Sequence, residues 1–94
     1  MTLRLLFPGL DADEQTAVSD WLRERPGVVG VSWLDPSHST RWLPSAVVTF
    51  ADGPGIAGHA EAIAESASSR GACYASITGP DDVPAVIYDE RVYA

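Results

Sequence analysis

Apolar residues along the chain recur first with period two, then with the longer period of a helix, and the switches mark its elements. Residues 2–7, TLRLLF, alternate: Leu3, Leu5 and Phe7 share one face of an expected strand, Arg4 and Leu6 the other. Pro8-Gly9 ends it. From Asp11 the period lengthens, and Ala17, Val18, Trp21 and Leu22 form the stripe of an amphipathic helix. Asp11 and Glu14 have capping-box spacing, and Arg23 and Arg25 stand at the end where the helix dipole favours cations. Pro26 cannot continue that helix, and Gly27 can take the left-handed turn out of it. VVGVSWL follows at 28–34, β-branched and short, with Val29, Val31 and Trp33 on one face and Val28, Gly30, Ser32 and Leu34 on the other. Asp35-Pro36 opens a polar loop. A third strand is expected over 45–50, SAVVTF, because Pro44 has no N–H to give a ladder. Ile56, Ala60, Ile63 and Ala67 set the face of a second helix within 52–71, with Gly71 as its cap. Residues 72–78, ACYASIT, read as a fourth strand with Cys73, Ala75 and Ile77 turned toward the helices, and Gly79-Pro80 closes the unit.

The order is β-α-β-β-α-β. Short connections and right-handed crossovers then predict an α+β, ferredoxin-like split βαβ domain over residues 1–80: a four-stranded antiparallel sheet, strands 1 and 3 central, both helices on one face. Residues 81–94 form a C-terminal tail. Val83, Val86, Ile87, Tyr88, Val92 and Tyr93 make it too apolar for a disordered end. It is expected to be ordered over 83–93, adding a strand or packing on a partner chain, with Val86 and one of Tyr88 and Tyr93 buried.

VSDWLRERPGVVGVSW, VVTF and IAESASSRGACYASI resemble the helix–strand joint, third strand, and second helix with last strand of the heavy-metal-associated domain family, over about residues 2–78. The resemblance implies the ferredoxin-like fold. It does not carry the family's metal site, a Cys-x-x-Cys pair of soft thiolates in the first loop, because that loop here is FPGLDADEQT. No metal or other cofactor is expected. PGL at 8–10 is also similar to the turn after strand 1 in ACT regulatory domains.

Composition narrows the function classes. One cysteine, Cys73, excludes a disulfide scaffold, and MTLRLLFPGL is too short an apolar run for a signal peptide or membrane span, so a cytoplasmic home is expected. The net charge is −7, with six arginines and no lysine. The arginines (Arg4, Arg23, Arg25, Arg41, Arg70, Arg91) are scattered and are expected to form no patch, which argues against nucleic acid or an anionic membrane as partner. His38 reads as a solvated loop residue and His59 as a half-buried packing residue. Asp81-Asp82 reads as a turn.

Without a phosphate loop, nucleophile elbow or dinucleotide motif, the chain is not expected to be an enzyme. The leading expectation is a non-catalytic module that binds a protein partner or self-associates as a homo-oligomer. Arg41 and Trp42 in the loop and Tyr88 and Tyr93 in the tail are its candidate interaction residues. The alternative is an ACT-like regulatory domain in which the PGLDADE turn at 8–14 or the Arg4 face holds a small anionic ligand; a dimeric α+β barrel enzyme stands third. The motive for the leading reading is the sheet face away from the helices, to which alternation assigns Leu6, Val28, Leu34, Val47 and Tyr74, too many apolar residues for a solvated surface.

Overall fold

The computed structural model of the chain describes residues 1–34, 44–79 and 83–90. Its elements are β1 (Thr2–Leu6), α1 (Ala12–Arg23), β2 (Val28–Trp33), β3 (Ser45–Phe50), α2 (Ile56–Ser69), β4 (Tyr74–Thr78) and β5 (Pro84–Asp89). The fold is α+β, with a five-stranded antiparallel sheet in the order β2-β3-β1-β4-β5. The expected four strands are thus extended by a fifth, drawn from the tail, which pairs with β4.

The local chemistry of α1 is as the spacing implied. The Asp11 carboxylate accepts from the Glu14 N–H at 2.8 Å, and the Glu14 side chain returns to the Asp11 N–H. At its other end Gly27 has φ 81°, a conformation that β-branched residues strongly disfavour, so the chain turns there into β2. A Cβ at Gly27 would also stand 2.5 Å from Ile56 Cδ1 of α2.

One face of the sheet and both helices share a single core. Leu3, Leu5, Phe7, Ala46, Val48, Phe50 and Ala75 meet Val18 and Leu22 of α1 and Ala60, Ile63, Ala64 and Ala67 of α2. Trp33 stands at its border, 6.0 Å from the Phe7 ring, and its indole N–H donates to the Ser19 hydroxyl at 2.6 Å. That bond explains a serine on the buried side of a helix.

Two bulges correct the simple alternation. Val28 pairs with Phe50 and Gly30 with Thr49, leaving Val29 as an extra residue, 66% exposed. Val28 therefore turns to the core, not to the outer face as period two predicted. In β5, Ala75 pairs with Tyr88 and Ser76 with Val86, so Ile87 is the extra residue. The shift brings Tyr88 inward and Val86 outward, where it is 58% exposed, so its own sheet does not bury it and burial against a second chain is the part of the expectation left open. Cys73 precedes β4 and is half-buried.

Candidate functional site

The face of the sheet away from the helices is built in register rows. Val47, Arg4, Ser76 and Val86 lie side by side across β3, β1, β4 and β5. Thr49, Thr2, Thr78 and Pro84 form the next row, and Ser45, Leu6, Tyr74 and Asp89 the row beyond Arg4 on its other side. The rows differ in exposure. Leu6 is 1% and Ser45 0% exposed, whereas Arg4, Thr49 and Val86 are open and Val47 is half-buried. The Ser45 hydroxyl, though buried, has no hydrogen-bond partner among the described residues. Among the described residues, this part of the face is a mixture of valines and hydroxyls around the Arg4 guanidinium.

Acids lie elsewhere. Among the described residues, Asp11, Asp13, Glu14, Asp20 and Glu24 belong to α1 and its caps, Glu61 and Glu65 to α2, and Asp52 to the segment before α2, while Glu90 follows β5; Asp89 is the one acid of the outer rows, at a corner. Both edges of the sheet carry a bulge, and β5 begins with a proline, devices that blunt an edge against strand addition.

Of the residues singled out from sequence, Arg4 stands exposed on the central strand. Tyr88 faces the other way: its hydroxyl donates to the Ala64 carbonyl of α2 at 2.9 Å, tying β5 to the helix layer. Burial, with the charges of Glu90 and Cys73, pushes its pKa up to about 12. Tyr88 is therefore a structural tie on the core side rather than part of the outer face. Arg41, Trp42, Tyr93 and His38 lie outside the described residues. His59 is exposed on α2, not half-buried, because the stripe Ala60, Ile63, Ala64 and Ala67 alone turns inward.

Sequence reasoning missed a second constellation, on the helix side. Arg25 and Arg70 converge on Trp21, their guanidinium carbons 5.5 Å and 4.3 Å from the indole centroid. The arginines are thus not all scattered. The i, i+4 spacing of Trp21 and Arg25 was a visible signal for half of this cluster. Arg70, from the end of the other helix, gave none. Beside it a concavity of about 170 Å³ is lined by Arg25, Pro26, His59, Ala62, Ile63 and Ser66.

Among the described residues no group of three or more His, Cys, Asp or Glu could hold a metal ion, and no helix is long and apolar enough to cross a membrane. No protein-family model, curated protein or solved structure matches the chain.

Proposed function

We propose that this domain is a non-catalytic association module that pairs with a second copy of itself across the outer face of its sheet. On this reading β1–β4 and the two helices form a ferredoxin-like split βαβ unit, and β5 widens the sheet. The observation that carries the proposal is the segregation of charge. A chain of net charge −7 repels its own copy over most of its surface. The outer face, with Val86 open, Val47 half-buried and, among the described residues of its rows, one acid at a corner, is where that repulsion is weakest. A two-fold contact sets the same patch against itself. It offers the Arg4 of each copy the hydroxyls of Thr2, Thr49 and Thr78 on the other as acceptors. Blunted edges argue for contact through this face rather than by strand addition.

The test is molecular mass by light scattering over a concentration series, for the wild type and for Val47→Asp. The proposal expects a concentration-dependent dimer that Val47→Asp converts to a folded monomer, with its circular dichroism unchanged. A wild type that stays monomeric at hundreds of micromolar contradicts it.

A second reading, an ACT-like regulatory domain, draws on the exposed guanidinium of Arg4 beside the row of threonines. It expects phosphate to raise the melting temperature of the wild type and not of Arg4→Gln.

A further inference from the structure

The helix side of the molecule carries a site of a different kind. We infer that the trough between the end of α1 and α2 binds a small monocarboxylate with an apolar body, gripped by Arg25 beside the Trp21–Arg70 stack. The inference is independent of self-association, since the trough lies on the opposite side of the sheet from the proposed contact.

Three observations combine. The first is that Trp21 bridges the two helices through cations: Arg25 from just beyond α1, Arg70 from the C-cap of α2. A guanidinium lying over an indole keeps its planar fork of donors directed outward, fixed in place by the ring. Holding the fork beforehand lowers the ordering cost of binding.

The second is that these donors are weakly engaged. Arg25 Nε donates to the Trp21 carbonyl at 3.2 Å, and its Nη2 lies 3.8 Å from a Glu24 carboxylate whose side chain is 74% exposed. Such an exposed pair contributes little and is readily exchanged. Arg70 forms no ion pair among the described residues.

The third is the shape and lining of the trough. The α2 stripe facing it contains Ala62 and Ser66, whose short side chains leave the space open, while Pro26 and Ile63 give an apolar floor. His59 and Ser66 add polar groups at the rim. A carboxylate meets Arg25 in a fork-to-fork pair, and an apolar body lies over Pro26 and Ile63. Glu24 beside Arg25 disfavours a dianion, so a single charge fits better than phosphate.

The probe is benzoate, with acetate, inorganic phosphate and neutral benzamide alongside, titrated into the full chain and followed by amide NMR. Benzoate is expected to shift the Arg25, His59, Ala62 and Ser66 amides saturably, with a Kd on the order of millimolar, as befits a ligand of this size. Benzamide, lacking charge, and acetate, lacking a body, should each bind roughly tenfold more weakly. Arg25→Gln should weaken benzoate by a similar factor, and Arg23→Gln, which removes an exposed pair with Asp20, should not. Ala62→Leu fills the trough at an exposed helical position while leaving every cation in the chain, and should abolish the shifts while the rest of the spectrum stays in place. The inference is overturned by the absence of saturable shifts at these residues. Equal binding of benzamide, tighter binding of phosphate, or benzoate binding unchanged in Ala62→Leu overturns it as well.

Discussion

The two faces of the same five strands differ in kind. On the inner face Leu3, Leu5, Phe7, Ala46, Val48 and Ala75 are closed off by helices from the same chain, each 1% exposed or less. On the outer face Leu6 and Ser45 are buried, while Arg4, Thr49 and Val86 in the other rows stay open. The inner face is complete in one copy and serves stability. The outer face is left partly open among the described residues, and on the proposed reading that open part is where a second copy adds most.

If that division is right, substitutions on the two faces have unlike consequences. The largest effect belongs to the inner face: Leu5→Ala, at a site with 0% exposure, should cost about 2–5 kcal/mol in chemical denaturation. A loss below about 1 kcal/mol there would mean the inner face is looser than its packing implies. Gly27→Val attacks the joint that delivers β2 to the sheet. It should cost roughly 1–3 kcal/mol, because it forces a β-branched residue to φ 81° against Ile56. Ser45→Ala works in the opposite direction. Removing a buried hydroxyl with no partner among the described residues should leave stability unchanged or raise it by up to about 1 kcal/mol, and a clear loss would show that the hydroxyl is bonded in solution.

The smallest effect is the most specific to the tail. Tyr88 is neutral in the fold with its pKa raised from 10.0 to about 12, so its contribution is whole below pH 10 and lost as pH climbs toward 12. Alkaline melts of wild type and Tyr88→Phe should therefore converge across that window. Parallel curves would separate the Tyr88 tie from the stability of β5.

Most of the inner face was legible in the sequence, because alternation in TLRLLF and SAVVTF and the helical stripes name its residues directly. Gly27 was legible for the same reason: a Pro-Gly after a helical stripe has few conformations open to it. The errors arise where a single extra residue breaks the period. Val29 in β2 and Ile87 in β5 each shift the register by one, and nothing in VVGVSW or PAVIYD announces which residue is extra. A slip of one residue exchanges faces, which is why Val28 is inside and Val86 outside. The Arg25–Trp21–Arg70 cluster was half legible, since its third member arrives through tertiary packing from forty-five positions beyond Arg25.

The central claim is that the open rows of the outer face meet their counterparts in a second copy. The most direct measurement mixes isotope-labelled and unlabelled chains and records intermolecular contacts between methyl groups by filtered NMR. The account predicts cross-peaks from the methyls of Val47, Thr49 and Val86 to the same surface of the other copy, and none from Ala17 or Ala62 on the helices. Intermolecular cross-peaks confined to the helix side, or none at concentrations where the wild type is fully associated, would contradict it.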